Sequence, residues 1–146
     1  MSDSTEQPSV FTRIIEGQIP GRFVWRDERV VAFLTVAPIR PGHVLVVPVE
    51  QIDRWTDVSS STWLYANEVA QHIGRVLEQS FDCSRVGLIV AGLEVPHCHI
   101  HLIPIRDESD LSFAAADAGA SAESLDAAAA TIRAGLTAAG HPEVSS

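Results

Sequence analysis

Apolar and polar positions alternate with several different periods along the 146-residue chain, and each change of period marks an element. Phe11 to Ile15 (FTRII) reads as a short helical turn, ended by the punctuation GQIPG at Gly17 to Gly21. Phe23-Val24-Trp25-Arg26 and Arg29 to Thr35 (RVVAFLT) are apolar, β-branched and aromatic runs. They read as two strands joined across Asp27-Glu28 in a hairpin. Pro38 to Gly42 (PIRPG) is a loop, and His43 to Pro48 (HVLVVP) a third strand. From Ser59 to Phe81 the period lengthens. Leu64, Val69, Ile73, Val76 and Leu77 then fall on one face of a helix. Arg85 to Val90 (RVGLIV) is a strand, closed by a break at Ala91-Gly92.

Asp107 to Ala120 has no period and reads as irregular. Ser121 to Ala139 is alanine-rich, with Leu125, Ala128, Ala129, Ile132 and Leu136 at helical spacing and Ser121 placed to cap the start. No repeat is present. Strands, then a helix, then strands again predict an α+β domain built on an antiparallel sheet.

One apolar stretch carries the candidate chemistry. Val95 to Pro104 reads VPHCHIHLIP, with histidine at positions 97, 99 and 101. In a strand, successive side chains point to opposite faces. The three imidazoles would then share one face, with Cys98, Ile100 and Leu102 on the other. Such a row suits a metal, because imidazole is a common zinc ligand. It equally suits phosphate chemistry, in which a neutral imidazole attacks phosphorus while its neighbours hold oxygens or move protons. Spacing alone does not decide between the two.

Composition narrows the setting. Hydrophobic residues make up 46 % and charged residues 20 %, a soluble globular balance that one domain with a real core satisfies. No apolar run is long enough for a membrane span. The start, MSDSTEQPS, has neither the basic nor the apolar block of a secretory signal. The formal net charge is −9, and all ten basic residues are arginine. That acidity argues against nucleic acid as a partner. Seven acids and one arginine lie between Asp107 and Ser146. Two cysteines, Cys83 and Cys98, make no disulfide framework and fit a reducing compartment. The expectation is a cytoplasmic protein that binds neither nucleic acid nor membrane.

The motif VPHCHIHLIP, His-x-His-x-His followed by apolar residues, resembles the signature of the histidine triad (HIT) family. About fifty residues upstream, Pro41-Gly42-His43-Val44-Leu45-Val46-Val47-Pro48 resembles the family's Pro-Gly-His block. VFTRIIEGQIP (Val10 to Pro20) and RVVAFLTVAP (Arg29 to Pro38) resemble its opening helix and nucleoside-lining strand. The resemblance runs from about residue 9 to about residue 105. It implies a HIT-like fold with a long helix and a C-terminal helix. A flexible segment over 1–8 would precede the HIT domain at 9–106. The extension 107–146 would belong to the same domain.

The resemblance also implies a nucleotide hydrolase or nucleotidyl transferase acting at an α-phosphate, with no cofactor and no metal. His99 matches the nucleophile, which forms a nucleotidyl-histidine. A backbone carbonyl within the triad would fix its other ring nitrogen as a donor. His97 and His101 match the flanking positions, and His43 a fourth histidine of the site. Phe11, Ile14, Phe33, Leu34, Thr35 and Val36 match the nucleoside pocket, with Gly92, Glu94 and Val95 near the phosphate. A nucleoside phosphoramidate, an acyl-nucleotide or a dinucleoside polyphosphate would be the substrate, and a nucleoside monophosphate the product. Family members of the Hint type are homodimers with a sheet spanning both subunits. A dimer through the long helix, with Trp63 as a contact, is therefore expected. The C-terminal segment is expected to pack near the site and shape substrate choice.

Three regions depart from the family pattern. Thr35 stands where an aspartate usually holds both ribose hydroxyls, so ribose recognition should weaken. Leu88 to Val95 lacks the usual asparagine, its glycine loop is shorter than the family's, and Leu93 stands in place of glutamine. Glu94 stands where the Hint branch often has serine. A carboxylate facing phosphate is repulsive, so Glu94 is expected to point elsewhere. Ser9 and Thr12 occupy the places of a Cys-x-x-Cys that helps hold zinc in many bacterial members, so no structural zinc is expected. A non-catalytic nucleotide-binding or interaction module is the alternative reading, and a metal-binding protein built on the triad is a third.

Overall fold

The computed structural model describes residues 7–144. The first six residues of the flexible segment expected over 1–8 lie outside the described residues. Gln7 accepts a hydrogen bond at its backbone carbonyl from the Gln51 side chain.

Five antiparallel strands form one sheet: β1 (Phe23–Arg26), β2 (Val30–Leu34), β3 (Val44–Pro48), β4 (Arg85–Ile89) and β5 (Ile100–Ile105), in the order β1-β2-β3-β5-β4. The architecture is the α+β antiparallel sheet expected from the sequence. Helix α1 (Val10–Ile15) lies on one face, while α2 (Ser60–Ser80) and α3 (Ala122–Ala138) cover the other. The expected helix limits hold to within a residue because each start has a hydroxyl cap. Ser9, Ser59 and Ser121 accept from the backbone N–H three residues on.

The alternation in the central strands is strict. Val30, Ala32 and Leu34 of β2, Val44 and Val46 of β3, and Ile100 and Leu102 of β5 face α2 and α3. There they meet Val69, Ile73, Val76 and Leu77 from α2, and Ala129, Ile132 and Leu136 from α3. The C-terminal extension therefore contributes directly to the main core. Val31 and Phe33 of β2 and Leu45 and Val47 of β3 face the other way, against Phe11 of α1. Leu34 had been matched to the nucleoside pocket. It belongs instead to the α2–α3 face, because it is one residue out of phase with Phe33. Leu64 also departs from expectation. It is 69 % exposed, and small Ala66 and Ala70 complete the buried stripe of α2 in its place.

Two turns aim the chain at the open end of the sheet. Asp27 ties the β1–β2 hairpin by accepting from the backbone N–H groups of Arg29 and Val30, and from Trp25 Nε1 at 3.0 Å. Tyr65 of α2 donates to the same carboxylate. Before β3, the Arg40–His43 turn passes through Gly42 at φ +92°, with the Phe81 ring 3.0 Å from where a Cβ would stand. A side chain is disfavoured there on both counts. Gly42→Ala should therefore lower the unfolding free energy by roughly 1–3 kcal/mol, measured by urea titration. A variant as stable as the native chain would show that the turn relaxes freely.

Candidate active site

The cross-strand registers build the site one residue at a time. Phe23 lies opposite Phe33, Phe33 opposite Leu45, Leu45 opposite His101, and His101 opposite Ile89. A single row thus crosses the sheet on the α1 face, aromatic at one end and carrying an imidazole near the other. His43 enters from the turn before β3, and its Nε2 lies 2.9 Å from His101 Nδ1. His99 lies just before β5, with its ring centroid 4.8 Å from His101 and 4.8 Å from Phe11.

Main-chain groups decide which nitrogen of each ring carries the proton. The Ile39 backbone N–H donates to His43 Nδ1 at 3.1 Å. The Nε2 of neutral His43 must then carry hydrogen and donate to His101 Nδ1. That leaves His101 Nε2–H as a donor facing the cleft. His99 Nδ1 lies 2.7 Å from the His97 carbonyl, which can only accept. The His99 proton therefore sits on Nδ1, and Nε2 keeps an unshared pair. Burial, opposed by the His97 carbonyl and the charge of Glu94, holds His99 below its ordinary value. Burial, then the charge of His99, pushes His43 down to about 4. Burial, then the charges of His99 and His43, pushes His101 down to about 3. At neutral pH the three rings are uncharged, with one nucleophilic nitrogen and one N–H donor directed at the same space.

His97 has a different place. The strand begins only at Ile100, so His97 lies on a bend and does not share a strand face with His99 and His101. Its ring is fully buried. His97 Nε2 donates to the Pro48 carbonyl at 2.7 Å, so Nδ1 accepts from Ser9 Oγ, also at 2.7 Å. Gln51 Oε1 in turn accepts from Thr12 Oγ1 and the Ser9 backbone N–H. This is a linked hydrogen-bond cluster of hydroxyls and an amide around one imidazole. Its donor set does not fit zinc, which favours thiolate and several imidazoles. Among the described residues, no group of three His, Cys, Asp or Glu side chains is arranged to hold a metal ion. Between the histidines, Cys98 is buried, and burial pushes its thiol up to about 11.

The cleft in front of His99 has a volume of about 380 Å³. Of the sequence-matched residues, Phe11, Thr35, Gly92, Glu94, Val95, His43, His99 and His101 line it. Ile14 and Phe33 pack behind Phe11 in the apolar cluster of that face. Val36 is 68 % exposed and Leu34 faces the opposite core, so neither reaches the cleft. Glu94, expected to point elsewhere, lines the cleft and lies close enough for its charge to act on His99. It is solvent-exposed, and water screens the repulsion that motivated the expectation. Thr35 Oγ1 accepts from the Ala37 backbone N–H at 3.2 Å, so part of its capacity serves the turn. Gly92 adopts φ +75°, which lets the loop turn before the triad.

Sequence matching missed Phe113 and Ala116. They form a wall of the cleft, with the Phe113 ring 4.8 Å from His101. The C-terminal segment was expected near the site, but neither residue was named; the one local signal was a lone aromatic in an otherwise small and polar stretch.

The depressed imidazoles have a consequence for stability. Below pH 6.5 the unfolded chain protonates histidines that the folded chain keeps neutral down to about 4 and about 3. The unfolded state then binds more protons, so unfolding free energy falls with falling pH across that window. For His43, only 3 % exposed, the loss is on the order of 3 kcal/mol once its folded-state value is passed. Urea unfolding followed across that window should show it, with NMR titration of the two rings alongside. Rings that titrate at their ordinary value in the folded protein would remove the effect.

Comparison with known proteins places this geometry. The HIT domain model matches residues 16–108. An uncharacterised HIT-like protein of Methanocaldococcus jannaschii is 35 % identical over 105 residues, covering 69 % of this chain and 81 % of that one. The asymmetrical bis(5'-nucleosyl)-tetraphosphatase of Schizosaccharomyces pombe is 34 % identical over 93 residues, 60 % of this chain and 50 % of its own. The adenosine 5'-monophosphoramidase of Saccharomyces cerevisiae is 28 % identical over 100 residues, 68 % of this chain and 63 % of its own. Among solved structures, a zinc-bound histidine triad protein of Mycobacterium smegmatis superposes with a TM-score of 0.77 at 25 % identity, covering 89 % of this chain and 94 % of that one. With its three histidines, its sheet order and this match, the chain belongs to the histidine triad family.

Proposed function

We propose that the protein is a nucleotide hydrolase or nucleotidyl transferase acting at the α-phosphate of a nucleotide conjugate, with His99 as nucleophile. One observation carries this reading: the His97 carbonyl holds His99 Nδ1–H at 2.7 Å and leaves Nε2 toward the cleft. The tetraphosphatase and phosphoramidase relatives support the same reaction class.

In the proposed first step, His99 Nε2 forms a bond to the α-phosphorus, and the bond from phosphorus to the leaving atom breaks. The leaving group departs with the electron pair and, if it is an amine, takes a proton from water. His101 Nε2–H donates to a phosphate oxygen as charge builds there. The His97 carbonyl stabilises the cationic, phosphorylated imidazole through Nδ1–H. Water then adds to phosphorus, the bond to Nε2 breaks and returns its pair to the ring, and the water proton passes to solvent. The monophosphate leaves. Phe11, backed by Phe33 and Ile14, gives an apolar face for the base, and Thr35 a single hydroxyl for the ribose.

His99→Ala should lower release of nucleoside monophosphate by a factor of 10³ or more, as loss of a covalent nucleophile does. The assay would use adenosine and guanosine phosphoramidates, acyl-adenylates and diadenosine polyphosphates, with chelator present. Equal release by the variant would dismiss His99. Tight monophosphate binding without turnover of any conjugate would favour the non-catalytic module, a reading motivated by the partly engaged Thr35.

A homodimer is part of the same proposal. The Trp55 and Trp63 rings stack at 5.4 Å beside exposed Leu64, and β4 is an edge strand. Light scattering should give twice the chain mass of 15.7 kDa, and a species of the single mass would rule the dimer out.

A further inference from the structure

The charge around the cleft is one-sided. Fourteen residues line it, and Glu94 is the one that carries a formal charge at neutral pH, the three histidines being held uncharged. None of the ten arginines of the chain lines it. Beyond the histidines, Thr35 and Glu94, the wall is apolar, with Ala37, Ala91, Leu93, Val95, Ala116 and Phe113 among its residues. Phe113 contacts His101 by one side, yet it is 46 % exposed and keeps ring surface open to the cleft.

We infer that Glu94 and Phe113 form a leaving-group subsite that selects a cationic leaving group with an apolar or aromatic body and rejects polyphosphate. The inference rests on the hydrolase reading and narrows it. A polyphosphate leaving group brings several negative charges past the carboxylate of Glu94 with no basic side chain among the cleft's lining residues to receive them. An ammonium on the leaving group meets that carboxylate instead, and an apolar body covers the Phe113 ring. Aromatic and cation contacts of this kind are favourable in water. Because Glu94 is exposed, its effect is moderate and sensitive to salt. The subsite comes from two segments of this chain's own: the shortened loop before the triad, and the irregular stretch between β5 and α3.

The test compares four adenosine 5'-phosphate conjugates. Three are phosphoramidates of propylamine, 1,3-diaminopropane and benzylamine, and the fourth is diadenosine tetraphosphate. For each substrate, kcat/KM is divided by that of the native protein, which cancels intrinsic reactivity. Glu94→Gln should cost the diaminopropane conjugate roughly threefold to tenfold at low salt and leave the propylamine conjugate nearly unchanged. Glu94→Lys should raise the tetraphosphate by a similar factor. Phe113→Ala should lower the benzylamine conjugate selectively. Glu78→Gln, an exposed position on α2 with the same change in net charge, should move none of the ratios.

Native turnover with substrate ratios unchanged in both Glu94 variants would overturn the charge selection and leave the hydrolase reading standing. An equal loss for all phosphoramidates in Phe113→Ala would remove the aromatic part. No native turnover of any conjugate would overturn the hydrolase reading, and this inference with it.

Discussion

A histidine is useful at this site only if its proton is on the right nitrogen, and main-chain groups decide that for every ring. A backbone N–H fixes His43, and the choice passes through 2.9 Å to His101. Backbone carbonyls of His97 and Pro48 fix His99 and His97. Main-chain partners are rigid, and they do not titrate. The site therefore keeps one lone pair and one donor directed at the cleft over the whole pH range in which burial holds the rings neutral. The depth that protects the tautomers also depresses the basicities, so orientation and charge state have the same cause.

Strict alternation in the sheet allows this economy. One face supplies packing against α2 and α3, and the other holds the aromatic and imidazole row. Every residue of β2 and β3 is buried, so neither face of those strands is available for adjustment. Variation is left to the edges: the loop through Gly92 and Glu94, and the stretch that carries Phe113.

The sequence-level reading succeeded where the period was clean. The β1–β2 hairpin, the two longer helices with the Ser121 cap and the α+β class followed from alternation and spacing, and the triad from its motif. It failed where contact geometry decides. Leu34 sits beside pocket residues in sequence, yet one residue of phase sends it to the other face. Leu64 lies five residues before Val69, out of phase with the buried stripe, which Ala66 and Ala70 complete instead. His97 continues the alternation on paper, but the chain bends before Ile100. Phe113 reaches the cleft through a segment with no period, so nothing local could place it there.

The contacts that close the site join residues far apart in sequence. Ser9 meets His97 across 88 positions, Pro48 meets it across 49, and His43 meets His101 across 58. Such contacts form only after long loops have closed, and they slow folding. They also mean that no local fragment of the chain can hold the His97 ring or bring His43 to His101. Competence at this site is then a property of the cooperative fold as a whole. A partly folded chain could keep its helices and hairpin and still lack the His43–His101 pair and the buried His97.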